Sequence, residues 1–520
     1  MHKFNITGLC VPHMHYMADT SKKISQISAM VDEGLYFTIN RARQYGKTTT
    51  FSSLRRKLSD KYLVIKTSFE GVGDEPFASD KNFCAMFADN ICEALEATGA
   101  DGELISLWTA DIPRDMKQLG KRVTSFCEKS SKPVVMMIDE IDKTADNQVF
   151  LNFLGLLRDK YLRRNDGDDC TFRSVILAGV SDIKNLRRRI TGEEILNARG
   201  ERVFNSPWNI AADFKVDMSF NPAEIFAMLN EYESDYHTGM DARKISEELY
   251  RYTNGYPFLV SKLCKTIDED LSKDWSVKGI KQAVKLLLSE RSTLLDDVIK
   301  NLKNNPKLRD LVYQILIGGE DIPFSPSQSE IELGAMYGIL VNYNGKTAVA
   351  NEVFEQYILD YFVVDLKVKT KTASVVVSSQ VIENGRLNMQ LCLEKFGRHY
   401  YEMFDERELK FSERNGRLLF LTYLKAFING KGFCHIEPGT RNALRMDLVV
   451  DYGEDQFIVE LKLWRGEKLH SDAYAQLWNY LDAKNENEGY LLTFDFRKRD
   501  KTQKAEWVRF NGKRIFDVMV

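Results

Sequence analysis

At 520 residues the chain exceeds what one hydrophobic core supports, so about three or four domains are expected. A composition 44% hydrophobic and 28% charged excludes a disordered or fibrous protein, and a net charge of −3 excludes a global field for nucleic acid, leaving local patches for any such binding. The eight cysteines form no CxxC pair and no metal-ligand spacing, so they read as reduced, mostly buried thiols of a cytoplasmic protein. Met1-His2-Lys3-Phe4-Asn5 leads into no signal-peptide segment, and no run approaches the roughly 18 apolar residues of a membrane span, so no membrane is expected as a partner.

Residues 1–219 alternate short apolar strands with amphipathic helices, the pattern of a parallel sheet with helices on both faces. Strands are predicted at 35–39, 63–67, 134–138 and 174–178. Helices are predicted at 48–59, 80–97, 115–129 and 147–163, with a polar loop at 164–171. After the first strand runs Asn40-Arg41-Ala42-Arg43-Gln44-Tyr45-Gly46-Lys47-Thr48-Thr49. A helix starting at Gly46-Lys47-Thr48 offers free N–H groups and a positive dipole end to an anion. Lys47 adds a point charge for the outer phosphates, and the Thr48 hydroxyl is a Mg²⁺ ligand candidate. The usual phosphate loop has glycine five residues before Gly46, where this chain has Arg41.

The strand Val134-Val135-Met136-Met137-Ile138 ends in Asp139-Glu140. In an ATPase, Asp139 would hold the Mg²⁺ shell and Glu140 would polarise the attacking water. The other reading is a strand that ends in a solvated turn. After the next strand, Ser181 or Asp182 is a candidate γ-phosphate sensor, with a plain polar strand end as the alternative. Arg187-Arg188-Arg189 reads as either an arginine finger or an exposed basic cluster.

From 220 to 303 the strands give way to amphipathic helices, a helical lid broken at Asn254-Gly255-Tyr256-Pro257. Residues 304–362 combine helices with a hairpin turning at Asn344-Gly345, a winged-helix-like module for either packing or DNA contact. Residues 363–385 read as a linker, and a last α/β domain spans 386–520.

That domain holds Asp447-Leu448-Val449-Val450-Asp451 and Gln456-Phe457-Ile458-Val459-Glu460-Leu461-Lys462 around a turn. If 452–455 form the loop, Asp451 pairs with Gln456 and Asp447 lies opposite Glu460, with Glu460 and Lys462 on one face. Two carboxylates so close repel unless a cation sits between them. Asp447 and Glu460, with the Leu461 carbonyl, would suit Mg²⁺ or Mn²⁺, and Lys462 would position water or stabilise phosphate charge. The alternative is a solvated hairpin face. On the following helix Gln476 and Tyr480 lie one turn apart. The tail Arg497-Lys498-Arg499-Asp500-Lys501, with Arg509, Lys513 and Arg514, is the most basic segment and reads as either a phosphate-contacting surface or a solvated face.

The N-terminal motifs resemble the AAA-ATPase-like family of bacterial proteins. Tyr16-Met17-Ala18-Asp19-Thr20 matches that family's opening tyrosine/aspartate/threonine motif, and Arg41-Ala42-Arg43-Gln44-Tyr45-Gly46-Lys47-Thr48 its arginine-rich loop without the usual proline. The missing glycine is then a family trait. The resemblance implies a P-loop NTPase fold, with ATP held by Arg43, Gln44, Tyr45, Gly46, Lys47, Thr48, Thr49 and Asp139. Residues 386–500 resemble the PD-(D/E)XK nuclease superfamily, a restriction-endonuclease-like α/β fold. That implies catalysis by Asp447, Glu460 and Lys462 with Mg²⁺, a motif pair Gln476 and Tyr480, and Glu413 as the acid of the first core helix. Met446 stands in place of the superfamily's proline. Together these imply an ATP-binding, ATP-hydrolysing protein coupled to a metal-dependent nuclease on nucleic acid, DNA favoured over RNA, with a homo-oligomer open. The rival is a STAND-like ATP-driven switch whose C-terminal domain binds nucleic acid without cleaving it.

Overall fold

The computed structural model describes residues 2–144, 147–180, 208–318, 320–370, 381–403, 413–428, 432–435, 448–464, 466–495 and 504–520. The chain forms two compact units, one of residues 1–283 with 336–338 and one of 284–335 with 339–520.

The first unit begins with α1 (Ser21–Asp32), β1 (Phe37–Asn40), α2 (Lys47–Leu58) and β2 (Leu63–Ser68). It continues through α3 (Asp80–Glu96), α4 (Gly102–Thr109), α5 (Met116–Lys129), β3 (Val134–Asp139), α6 (Gln148–Asp166) and β4 (Ser174–Gly179). The strands form a parallel sheet in the order β1-β4-β3-β2. A single parallel bridge from Phe37 to Ala212 extends it beyond β1. β3 reads as an unbroken apolar run because both of its faces are covered. Val134, Met136 and Ile138 pack with Phe83 and Phe87 of α3, Val123 of α5 and Phe153 of α6. Val135 and Met137 pack with Ile27 and Val31 of α1 and Phe51 and Leu54 of α2. Two of the helix starts have a local cause in a side-chain cap: Ser79 caps α3 through the Asn82 N–H at 3.2 Å, and Asp115 caps α5 through the Gln118 N–H at 2.8 Å.

Three helices follow in this unit: α7 (Pro222–Tyr236), α8 (Ala242–Thr253) and α9 (Pro257–Glu269). Asn221 and Glu224 form a capping box at the head of α7. Glu224 also takes a buried 2.6 Å ion pair from Lys23 of α1, which ties the helices to the sheet domain. The N-terminal segment packs on them too, with Phe4 and Tyr16 against Tyr232 and the Tyr16 hydroxyl donating to Asp235 at 2.7 Å. Then α10 (Val277–Ser289) carries the chain onward.

The second unit contains α11 (Thr293–Asn304), α12 (Pro306–Leu316), α13 (Ser329–Met336), β5 (Leu340–Tyr343), β6 (Lys346–Val349) and α14 (Glu352–Thr370). Asn344 and Gly345 have φ of 51° and 85°, the two left-handed residues that an Asn-Gly hairpin turn needs. α14 runs on through 363–370, part of the stretch read as linker, because Phe354, Ile358 and Phe362 carry the apolar stripe forward to buried Val363.

Next come the two-residue strands β7 (Ile382–Glu383) and β8 (Arg386–Leu387), then α15 (Met389–Met403), α16 (Glu413–Ile428) and β9 (Gly432–His435). The chain ends with β10 (Leu448–Tyr452), β11 (Asp455–Leu463), α17 (Glu467–Ala483), β12 (Glu488–Phe494), β13 (Lys504–Phe510) and β14 (Lys513–Met519). A mixed six-stranded sheet runs β13-β14-β12-β11-β10-β9, with β11, β12 and β14 parallel. On one face Ala473, Leu477 and Tyr480 of α17 pack against Val449, Ile458 and Leu491. The fold is therefore α/β in both units, as the pattern of elements predicts. No helix among the described residues is long and apolar enough to cross a membrane.

Candidate functional site

The first site lies at the carboxyl ends of β1, β4 and β3, where an open parallel sheet presents ligand-binding loops. α2 starts at Lys47, directly after Gly46, whose φ of 75° is the left-handed turn that brings the loop into the helix. The Thr48 hydroxyl donates to the Asp139 carboxylate at 3.2 Å, and the other Asp139 oxygen accepts from the Glu140 N–H at 3.0 Å. Asp139 is buried. A hydroxyl and a carboxylate so placed supply two hard oxygens, a donor set that fits Mg²⁺ shared with nucleotide phosphates.

The Lys47 ammonium donates to the Arg41 and Ala42 carbonyls at 2.9 and 3.1 Å, closing the loop on itself. Burial holds that ammonium below the usual lysine range, against the pull of Glu140, Asp142 and Asp139. Burial likewise raises the Glu140 carboxyl, opposed chiefly by Lys47. Glu140 has φ of 54°, a left-handed conformation that is costly for a residue with a Cβ.

Several participants were not read from the sequence. Arg41, in the place of the usual glycine, anchors the loop through the Asn40 and Val216 carbonyls, both at 2.7 Å, and lies 5.4 Å over the Phe214 ring. Tyr45 packs edge-on to Tyr256 at 4.6 Å, and the Tyr256 hydroxyl donates to the Arg43 carbonyl at 2.5 Å. Asp142 accepts the Val180 N–H at 2.7 Å, a contact that needs Gly179 because a Cβ there would meet Asp142 at 3.0 Å. Thr49 turns away from the loop, where its hydroxyl accepts from the Cys10 N–H at 3.2 Å. Gln44 has φ of 58° and sits on the loop between Arg43 and Tyr45. Ser181, Asp182 and the three arginines at 187–189 lie outside the described residues.

The second site lies on the C-terminal sheet. Asp451 pairs with Gln456 as expected, and Tyr452 pairs with Asp455 as well, so the turn narrows to Gly453 and Glu454. Lys462 Nζ lies 2.7 Å from a Glu460 carboxylate oxygen, with the Glu460 side chain only 2% exposed and that of Lys462 27% exposed. A carboxylate buried this deeply requires a cationic partner, and Lys462 supplies one. Leu461 is buried and points to the opposite face. On α17, Tyr480 is buried in the cluster above Glu460's face and Gln476 is half-buried one turn before it. Glu413 opens α16, but its side chain lies outside the described residues, as do Asp447, Arg445 and Met446. Among the described residues no group of three or more His, Cys, Asp or Glu side chains gathers as a metal cluster.

Part of the basic tail, 496–503, is also outside the described residues. Arg509 and Arg514 face each other directly across β13 and β14, and Arg514 stacks 4.3 Å over Trp507 while pairing with Glu488 at 2.8 Å.

Residues 437–506 match the PD-(D/E)XK nuclease superfamily, so a domain of that superfamily lies at the C-terminus. An uncharacterised WD repeat-containing protein of Synechocystis sp. is 24% identical over 242 residues, 43% of this chain and 19% of that protein. The chain thus spans about a fifth of that relative's length. A Walker-type ATPase of Pyrococcus abyssi overlays 68% of this chain and 99% of its own at 11% identity, with a TM-score of 0.47. The ORC1 protein of Aeropyrum pernix, solved in complex with DNA, overlays 67% of this chain and 94% of its own at 12% identity, with a TM-score of 0.30. Residues 13–360, more than half of the chain, match the AAA-like domain family, and the chain belongs to that family.

Proposed function

We propose that this AAA-like protein binds and hydrolyses ATP in its first unit and uses the nucleotide state to control a metal-dependent nuclease in its C-terminal domain. The observation that carries the reading is the Thr48–Asp139 hydrogen bond at the head of α2. It sets a hydroxyl and a carboxylate beside a lysine at a helix N-terminus, the arrangement that receives a nucleotide's phosphates with Mg²⁺. Bound there, Mg²⁺ would neutralise charge on the outer phosphates. Lys47 would exchange its loop carbonyls for phosphate oxygens, Gly46 and the α2 N–H groups would cradle them, and Glu140 would orient the attacking water. Arg43, Gln44 and Tyr45 line the loop that approaches the nucleotide, and Thr49 braces it through Cys10.

In the C-terminal domain, Glu460 would join Asp447, the residue just before β10, and the Leu461 carbonyl in holding Mg²⁺ or Mn²⁺. The metal would supply charge neutralisation at the scissile phosphate. Lys462, released from Glu460, would stabilise phosphate charge and position water. Gln476 and Tyr480 would brace the site from α17, with Glu413 as the acid from α16 and Ser181 as the γ-phosphate sensor in the first unit. The substrate is nucleic acid, with DNA preferred.

The test is cleavage of plasmid DNA and of RNA with Mg²⁺ or Mn²⁺, with and without ATP, in wild type, Lys47→Ala and Lys462→Ala. Cleavage lost in Lys462→Ala and made ATP-independent in Lys47→Ala supports the coupled reading. Cleavage that persists in Lys462→Ala removes the nuclease assignment, and absence of any nucleotide effect leaves two independent domains.

A further inference from the structure

A second polar cluster lies beside Glu460 and Lys462, and the reading above leaves it idle. The strand register sets Glu460 beside Leu491 and Leu491 beside Asp517, and in the next row Lys462 beside Thr493. Register partners share a face, and neighbouring strands lie about 4.8 Å apart. Near the start of α17, His470 reaches both rows. Its Nε2 is 2.7 Å from the Asp517 carboxylate, and its Nδ1 is 3.5 Å from the Thr493 hydroxyl. Tyr474, one turn on, donates its hydroxyl to the same Asp517 oxygen. The Trp464 ring holds the imidazole from the side, with centroids 5.1 Å apart. Asp517 is buried, and its second oxygen accepts no hydrogen bond among the described residues.

Packing alone does not call for this arrangement, since desolvating an imidazole and a carboxylate is less favourable than burying an apolar pair of equal volume. The geometry instead gives the two ring nitrogens different neighbours. Asp517 is placed to accept from an Nε2–H, with the Tyr474 hydroxyl 3.3 Å from the same nitrogen. Nδ1 faces the Thr493 hydroxyl, at the strand position beside Lys462.

We propose that His470 is a catalytic residue that donates a proton to the oxygen leaving phosphorus, with Asp517 and Tyr474 as positioning residues, an inference that rests on the nuclease reading. As the water oxygen bonds to phosphorus and the ester P–O bond breaks, the ring, protonated on both nitrogens, passes its Nδ1 proton to the departing oxygen, which leaves as an alcohol, and keeps Nε2–H toward Asp517. The attacking water releases its proton to solvent, and the imidazole regains one from solvent.

The full chain with Mn²⁺ is assayed on a DNA oligonucleotide and on the same oligonucleotide with sulfur at the bridging position that leaves, since a thiolate departs without protonation. His470→Gln should slow cleavage of the oxygen substrate by about 10²–10⁴-fold and that of the sulfur substrate by less than about tenfold. Asp517→Asn should follow the same pattern with a smaller loss. The ratio of the two rates within one sample does not depend on the folded fraction, so a partly unfolded variant still reports. Equal losses on both substrates, or none on either, overturn the proton-donor role and leave the nuclease reading standing. A wild type that cleaves neither substrate, or cleavage indifferent to Lys462→Met, overturns both. Without metal or substrate, selective ¹⁵N-histidine labelling, assigned against His470→Gln, should show Nε2 protonated. A resting tautomer with a bare Nε2 and a protonated Nδ1 overturns the proposal.

Discussion

Thr48 and Asp139 stand 91 positions apart in the chain and 3.2 Å apart in the fold, a hydroxyl donating to a buried carboxylate at the mouth of α2. The bond joins the start of the helix after β1 to the end of β3, two strands away in the sheet. If the pair receives Mg²⁺ with the nucleotide, removing either oxygen should weaken nucleotide binding only when Mg²⁺ is present. Asp139→Ala and Thr48→Ala should each lower ATP affinity by about tenfold or more in Mg²⁺, about 1.4 kcal/mol, and much less in EDTA. Titration calorimetry in both buffers checks this, and equal losses in the two would place the cation elsewhere.

Glu140 combines a proposed chemical role with an unfavourable backbone. Its φ of 54° suits glycine, and any other residue there forfeits about 1 kcal/mol. Glu140→Gly should therefore raise the midpoint of thermal unfolding while abolishing ATP hydrolysis. Glu140→Gln should leave the midpoint unchanged, keep ATP binding and lower turnover by about a hundredfold or more. A Glu140→Gly protein that is less stable than wild type would show that the surrounding contacts, not the carboxylate's task, select this conformation.

Much of this was legible because short-range patterns carried it. The apolar run of β3 ending in two acids, the Gly46-Lys47-Thr48 helix start and the Asp451–Gln456 pairing all follow from periodicity and local chemistry. Arg41's role was not legible, because the carbonyl that anchors it belongs to Val216, 175 positions away. The same holds for Tyr256 and Arg43, 213 positions apart, and for His470 and Asp517, 47 apart. Such partners meet only after strand order is fixed, and strand order is invisible to a pattern of alternating elements. The helix's continuation through 363–370 was not legible either, since the charged residues beyond Phe362 and Val363 hide the helical stripe in the sequence.

Glu355 on α14 gives the second unit a definite pH response. Burial is the main cause that pushes its carboxyl up to about 8, from an ordinary 4.5, with Glu352 adding to it. Between those values the folded chain holds a proton that the unfolded chain has released. Stability therefore falls as pH rises across this window, by at most about 1.4 kcal/mol per pH unit, and levels off above it. Denaturant unfolding of wild type and Glu355→Gln at pH 5 and 8.5 should show the variant losing less stability between the two. Parallel pH responses would assign the loss to other groups.

Arg509 and Arg514 oppose each other across β13 and β14, an unfavourable like-charge pair unless an anion meets it. Arg514 already serves Glu488 and Trp507, whereas Arg509 is exposed. If DNA phosphate meets this edge, Arg509→Gln should reduce the salt slope of DNA binding by about 1. Arg514→Gln should change that slope less and instead cost about 0.5–1 kcal/mol of stability through lost stacking. Fluorescence anisotropy from low to moderate salt separates the two, and an unchanged slope in Arg509→Gln removes this edge from the interface.

Lys462 should hold the C-terminal domain together when metal is absent and give way when it is present. Its ammonium lies 2.7 Å from Glu460, whose side chain is almost wholly out of water. Truncating one partner of a buried pair leaves the other charge uncompensated, a loss of about 3–5 kcal/mol, reduced here because Lys462 is partly solvated. Lys462→Met should thus be markedly destabilised in EDTA. A divalent cation at Glu460 would replace the missing charge, so Mn²⁺ should stabilise Lys462→Met more than it stabilises wild type, where Lys462 must first be displaced. Glu460→Gln should show the reverse, little destabilisation in EDTA and no stabilisation by Mn²⁺. Unfolding midpoints of the three proteins with EDTA and with Mn²⁺ form the test, and a metal-induced shift that survives in Glu460→Gln would put the cation on other ligands.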